Sequence, residues 1–247
     1  MDPYHLSLLI AVAAAAGFVD AIAGGGGLLT LPALLLSGMP PSEALATNKL
    51  QGTFGVASAS TRYYQAGEID LRRLRWPVLA TAAGAALGAL AVAYVDASML
   101  RKVMPYALLA AALYFALAPY LRDHTPRTAL TPAPFAFALA GPIGFYDGFF
   151  GPGAGSLYTL AFLAFAGVGL MRATAHAKIL NFTSNLFSLA VFLLAGHVNF
   201  AIGLPMAAGQ AAGAWAGSHI ALKHGAWLIR PLLVITTAAA ALKLLTT

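Results

Sequence analysis

Cysteine is absent from this 247-residue chain, which removes disulfides, thiol catalysis and thiolate metal sites from consideration. Charge is nearly as scarce. Asp, Glu, Lys and Arg make up 9% of the residues, against roughly a quarter in soluble domains. What charge there is leans one way, 14 basic against 8 acidic residues for a net of +6. The Lys and Arg residues lie between apolar runs rather than along one polar face, so they mark topology and not a nucleic-acid surface. Six histidines show no paired metal-ligand spacing, so no metal and no cofactor is expected. The stretch from Gly153 to Ser156 brings a serine into the same half as His176 but specifies no base or orienting partner, and the chain is not read as an enzyme. Alternating apolar and polar strand patterns are missing too, which excludes a transmembrane barrel.

What remains is apolar. Hydrophobic residues make up 60% of the chain and the mean hydropathy is +0.79. The apolar runs follow one another with short interruptions, and about 20 such residues carry a helix across a bilayer core. In lipid only intrasegment hydrogen bonds satisfy the backbone, so these runs are helices. The apolar stretch at 6–16 has no preceding Lys or Arg and runs into a motif that recurs later, so it is read as mature protein and not as a signal peptide.

The sequence matches itself at a nearly constant offset. At an offset of 127, Gly17, Phe18, Asp20, Gly24 and Gly26 fall on Gly144, Phe145, Asp147, Gly151 and Gly153. At an offset of 129, Gly38, Lys49, Gly67, Gly84, Gly88 and Arg101 fall on Gly167, Lys178, Gly196, Gly213, Gly217 and Arg230. The expected organisation is a single membrane domain over 1–247, with a first repeat at 5–119, a cytoplasmic linker at 120–130 and a second repeat at 131–247.

Charge then orients the halves. The loop at 67–75 carries Arg72, Arg73 and Arg75, while its equivalent at 196–204 has no Lys or Arg, so the two loops are expected on opposite faces. Segments are read near 6–23, 27–38, 43–65, 76–95, 102–119, 131–150, 155–167, 172–195, 204–222 and 227–245. With 67–75 inside, Arg62, Arg72, Arg73, Arg75, Arg122, Arg127, Arg172, Lys223 and Arg230 are cytoplasmic, against Arg101, Lys102 and Lys243 outside. The expectation is an all-α polytopic protein of the inner membrane, multi-pass, made of two inverted-topology repeats of about five helical segments each.

In each half a helix runs into glycines, at 24–27 and at 151–153, followed by an apolar segment of only about 12 residues. Four adjacent glycines unwind a helix, at about 1 kcal/mol each relative to alanine, and freed backbone is tolerated at membrane depth only inside protein or beside water. Broken or short half-helices near the midplane follow, with N–H groups and a positive dipole end facing a cavity, an arrangement that holds anions. Close packing by small residues is the competing account of the glycines.

Few ionisable groups interrupt the apolar segments: Asp20, Lys49, Asp147 and Lys178, with His176 and His219 nearer the ends. Buried charges in a membrane are usually paired and functional. Two acids and two lysines at matching positions point to two ion pairs, and the competing account is that Asp20 with Lys49 and Asp147 with Lys178 are structural bridges pinning the broken helix. Thr174, Lys178, Asn181, Asn185 and Ser188 follow at helical spacing, and Asn48, Gln51, Gly55 and Ser58 make a similar stripe beside Lys49. The substrate-binding candidates are Gly24, Gly25, Gly26, Gly27, Asn48, Lys49, Gln51, Gly151, Gly153, Lys178, Asn181 and Asn185. Asp20, Asp147 and His176 are the candidates for ion pairing or proton coupling.

The motifs GFVDAIAGGGGLLTLPALLLSGMPPSEALATNKLQ (17–51), GFYDGFFGPGAGS (144–156) and ATAHAKILNFTSN (173–185) resemble the TauE/SafE sulfite exporter family, and within it a YfcA-like branch. The resemblance implies export or import of sulfite, a sulfonate or a related organosulfur oxyanion. On the residues alone the expectation is a secondary transporter for a small anion by alternating access, with a passive anion channel or a proton- or cation-linked carrier using Asp20 and Asp147 as alternatives. The expected partners are that anion and the bilayer, without nucleic acid; a homo-oligomer is left open.

Overall fold

The computed structural model describes residues 2–96, 98–100, 102, 106 and 130–224, and the described residues form helices and no strand. The segments expected at 102–119 and 227–245, the linker, and Arg101, Arg122, Arg127, Arg230 and Lys243 lie outside the described residues, apart from Lys102, Tyr106 and Leu130.

The first half contributes α1 (Pro3–Ala23), α2 (Gly27–Leu36), α3 (Pro41–Gln65) and α4 (Leu71–Ala93). The second contributes a short α5 (Pro132–Phe135) that continues through a π-helical turn (Ala136–Ala140) into α6 (Gly141–Phe149), then α7 (Ala154–Phe165), α8 (Leu170–Leu194) and α9 (Phe200–His224). The helices begin where capping chemistry allows. Asp2 accepts the Tyr4 N–H ahead of Pro3 at the start of α1, and Asp70 accepts the Arg72 N–H at the start of α4.

The matching glycines have matching uses. Gly38, Gly67 and Gly196 follow α2, α3 and α8 with positive φ, and the next residue's N–H reaches back to the carbonyls of Leu34, Tyr63 and Phe192, the Schellman ending that favours glycine. The change of offset from 127 to 129 also has a structural source: α2 has 10 residues and α7 has 12.

Small residues decide which helices touch. Gly209, Gly213 and Gly217 of α9 lie against the main chain of Ile10, Ala14 and Phe18 in α1, so the two helices run side by side in the same direction. Gly84 and Gly88 of α4 lie in the same way against the main chain of Gly141 and Phe145. Any Cβ there would collide with backbone, and such contacts are how helices associate in lipid without a hydrophobic driving force. Each half's first long helix therefore packs on the other half's fourth, and the halves interlock.

The apolar core is divided by level. One cluster joins the first turns of α1, α3 and α9 (Leu9, Leu45, Met206) to the last turns of α4 and α8 (Val92, Phe192) and to Phe150, just after α6. Two others, sharing Ile69 and Leu163, join the starts of α4, α5 and α8 to the ends of α1, α3 and α9. The outward faces expose Leu79, Leu87, Phe137, Phe145, Leu186, Leu204 and Trp215. In α3 and α8 the polar side chains of Lys49, Gln51, Lys178 and Ser188 are buried while Phe54, Leu186 and Phe187 face outward, the pattern of a protein solvated by lipid rather than water.

Of the described helices, α1, α4 and α8 are both long and apolar enough to cross a bilayer core. Helices α3 and α9 have 25 residues each, long enough at about 1.5 Å per residue, but their inward polar residues lower their apolarity.

Candidate functional site

The last turn of α1 carries Asp20 into the protein interior, and the chain then breaks. Gly24 and Gly25 take φ of 83° and 88°, Gly26 caps α2, and the Gly26 N–H donates to Asp20 Oδ1 at 3.0 Å. In the second half Gly151 and Gly153 take φ of 97° and 84° ahead of α7. These left-handed positions are open to glycine at little cost. The two breaks meet. A Cβ on Gly24 would lie 2.5 Å from the Ser156 nitrogen, and one on Gly27 would touch Pro152. Ser156 ties the breaks together by donating to the Ala23 carbonyl at 2.9 Å. The first turns of α2 and α7 thus face each other; the carbonyls of Gly25, Gly26, Gly151 and Gly153 take most of their N–H groups, and those of Gly27 and Gly155 are the ones not taken by a main-chain carbonyl.

Helices α3 and α8 cross beside this junction, each with its lysine buried. The expected pairing within halves is overturned. Lys49 Nζ donates to Asp147 Oδ1 at 2.5 Å, and Lys178 Nζ donates to the Asp20 main-chain carbonyl and lies 3.3 Å from Asp20 Oδ2. The cause is the helix packing described above: α1 lies along α9 and α6 along α4, so each acid is delivered to the other half's lysine. The second oxygen of Asp147 accepts from Ser184 Oγ.

Between the pairs is a cavity of about 30 Å³, room for roughly one or two water molecules. Its lining includes Asp20, Lys49 and Asp147, glycines 25, 27, 151, 153 and 155, and the amides Asn48, Asn181, Asn185 and Gln210. Lys178 is buried against Asp20 on its edge. Other predicted residues act one step away. Gly24 packs against Gly155 and Ser156, Gly26 holds Asp20, and Gln51 donates to Asn48 Oδ1 at 2.8 Å, which also accepts from Thr30.

His176 is not brought to the cavity. It sits near the start of α8, where its Nε2 accepts the Asp70 N–H at 3.1 Å, and it lines a cavity of about 250 Å³ with Glu68, Asp70, Arg73 and Arg172. At the opposite end Thr47 Oγ1 accepts the Asn199 N–H at 3.2 Å beside a cavity lined by Glu43, His197 and Asn199. Thr47 and His176 are 129 residues apart, as are Asp70 and Asn199, so the two end cavities are equivalents with different chemistry.

Gln210 was missed by sequence reasoning. Its Oε1 is buried without a hydrogen-bond partner and its side chain lies on Gly55. An amide interrupting the small-residue run of α9 was the available signal. Among the described residues no group of His, Asp and Glu could hold a metal ion.

The model of the family described as sulfite exporter TauE/SafE matches residues 9–244. Among curated relatives, the "Probable membrane transporter protein ORF9" of Sinorhizobium sp is 47% identical over 98% of this chain and 93% of its own length. The "Probable membrane transporter protein YfcA" of Escherichia coli K12 is 46% identical over 99% of this chain and 91% of its own. A "Probable membrane transporter protein" of Haemophilus influenzae is 44% identical over 93% and 90%. No solved structure matches.

Proposed function

The chain belongs to the sulfite exporter TauE/SafE family and is a membrane transporter, and from there we propose that it is a multi-pass inner-membrane carrier for a small oxyanion of the sulfite or sulfonate class, working by alternating access of two inverted repeats. The observation that carries the substrate class is the central cavity, where Lys49, three asparagines, a glutamine and the starts of two short helices converge, with Lys178 buried against Asp20 at its edge. Ammonium and amide N–H groups together with helix N-termini are the donors that an anion with several acceptor oxygens requires.

Three features support inversion. Equivalent helices have their starts at opposite levels, α1 and α3 beginning in the cluster where α6 and α8 end. Arg62, Arg72, Arg73, Arg75, Arg172 and Lys223 gather at one level, around the ends of α3 and α9 and the starts of α4 and α8, as cytoplasmic charges do. The equivalent end cavities lie at the two extremes with the small central cavity between them, as a binding site closed from both sides would be.

Purified protein in proteoliposomes tests this reading by counterflow of sulfite, thiosulfate, sulfoacetate and methanesulfonate. The expected result is exchange of at least one sulfur oxyanion that Lys49→Ala abolishes. Anion flux surviving Lys49→Ala and Lys178→Ala together, with transport lost in Asp20→Asn, would overturn it. Flux that never accumulates substrate against its gradient would instead identify a channel.

A further inference from the structure

We propose that one proton accompanies each monovalent anion through this protein, and that Asp147 rather than Asp20 carries it. The inference rests on the anion reading above and adds its coupling ion and its stoichiometry.

It starts from charge. Around the central cavity the fixed charges sum to zero, the ammonium groups of Lys49 and Lys178 against the carboxylates of Asp147 and Asp20, all four nearly or wholly buried. An arriving anion leaves the centre with one uncompensated negative charge, and a buried charge without a partner costs several kcal/mol. A proton restores the balance without needing volume. A metal cation would need a shell of oxygen ligands in a space that holds one or two waters.

The two carboxylates are not equivalent recipients. Asp20 accepts the Gly26 backbone N–H at the positive end of α2, and Lys178 is fixed mainly on the Asp20 main-chain carbonyl, which does not titrate. Neither contact depends on the other side chains of the site. Asp147 has only side-chain partners, Lys49 on one oxygen and Ser184 on the other, and the described hydrogen bonds give it no backbone donor. A protonated Asp147 still accepts from Ser184 while its new O–H becomes a donor, and the Lys49 charge is left for the anion.

Of the described groups around Asp147, Asp20 is the one other carboxylate. From α3 it faces Lys49, from α8 Ser184, from α7 the phenol of Tyr158 and across the cavity Asp20; its own helix adds the Tyr146 phenol. Helix α4, packed along α6, has no titratable side chain between Trp76 and Ala93.

The full chain in proteoliposomes, with methanesulfonate as the probe, decides the matter. This sulfonate stays ionised across the working pH range, so it cannot be trapped as a weak acid. With the membrane potential clamped at zero, a one-unit pH gradient, acidic outside, is expected to drive about tenfold accumulation, the ratio set by one proton per anion. A potassium diffusion potential without a pH gradient is expected to drive none, because the coupled step is electroneutral. In Asp147→Asn the ratio of pH-driven accumulation to counterflow exchange falls to the uncoupled level, whereas in Asp20→Asn whatever exchange remains stays coupled. Size-exclusion profiles in detergent identify any variant that does not fold.

Exchange in the wild type without pH-driven accumulation overturns the coupling and leaves the anion site standing. Coupling lost in Asp20→Asn but kept in Asp147→Asn overturns the assignment to Asp147. Accumulation that follows a sodium gradient instead replaces the proton. Absence of exchange for every sulfur oxyanion removes the anion site, and this inference falls with it.

Discussion

Lys49 and Lys178 occupy matching places on α3 and α8, yet their ammonium groups are held in different ways. Lys49 is committed to a carboxylate at 2.5 Å, whereas Lys178 sits on a main-chain carbonyl with the carboxylate of Asp20 second, at 3.3 Å. The difference traces to one pair of matching residues. Ser184, which holds Asp147, corresponds to Gly55, and the space a side chain would take at Gly55 is filled by Gln210, whose Cγ a Cβ there would meet at 2.5 Å. Asp20, without a hydroxyl partner, turns instead to the Gly26 N–H. The two ion pairs are similar, but with Ser184 beside one and Gly55 at the matching position beside the other, one is all side chain and the other largely backbone.

The sharpest way to break this comparison is to remove the lysines one at a time. Lys49→Ala leaves Asp147 buried without a counter-charge, a loss of about 3–5 kcal/mol for a broken buried pair, and abolishes transport. Lys178→Ala removes a donor from a carbonyl that the Gly24 N–H still serves, but it also leaves the buried Asp20 carboxylate without its ammonium partner and with the Gly26 N–H alone, so it is expected to cost about 1.5 kcal/mol less than Lys49→Ala, the share that this backbone donor retains. Chemical unfolding in detergent measures both. In the double variant Lys49→Ala, Asp147→Ala most of the first loss should return, since no unpaired charge remains. Equal losses for the two lysines would mean that the asymmetry of contacts carries no energetic weight.

A glycine of the first break can be compared in the same way with one at a helix end. Gly24→Ala forces a side chain into the Ser156 backbone at a left-handed φ, while Gly38→Ala meets nothing within 4 Å and has only the conformation to overcome. The second is expected to cost about 1–2 kcal/mol. The first should exceed it, and it should also slow exchange because it pries the starts of α2 and α7 apart. Thermal unfolding and counterflow of both variants check this, and equal effects would argue against a functional junction between the breaks.

Much of this site is legible in the sequence, because its parts are ones that lipid does not tolerate without reason. Adjacent glycines, lysines in apolar runs and asparagines at helical spacing stand out against leucine and alanine, and Gly27, Gly153, Lys49, Asn181 and Asn185 do converge. The pairing of charges was not legible. Which acid meets which lysine is set by the seating of α1 on α9 through Gly209, Gly213 and Gly217, and nothing in a repeat comparison gives the register between halves. Gln51 shows the opposite failure. It belongs to the polar stripe by spacing but spends its amide on Asn48, supporting the site and not lining it.

The smallest expected effect is also the most specific. Ser184→Ala removes one charge-assisted hydrogen bond from Asp147 and leaves the Lys49 contact in place, so stability should fall by about 1.5 kcal/mol and exchange should persist. The consequence lies in the coupling. Ser184 is a partner Asp147 keeps whether or not it is protonated, so without it the acid depends on Lys49 alone, and the charged form loses a donor that the protonated form needs less. The pH profile of methanesulfonate exchange should therefore change in Ser184→Ala and stay in place in Thr159→Ala, whose hydroxyl is spent on the Gly155 carbonyl at 3.0 Å. A profile unmoved in both variants would make Ser184 a packing residue and reduce the contrast between the two ion pairs to geometry.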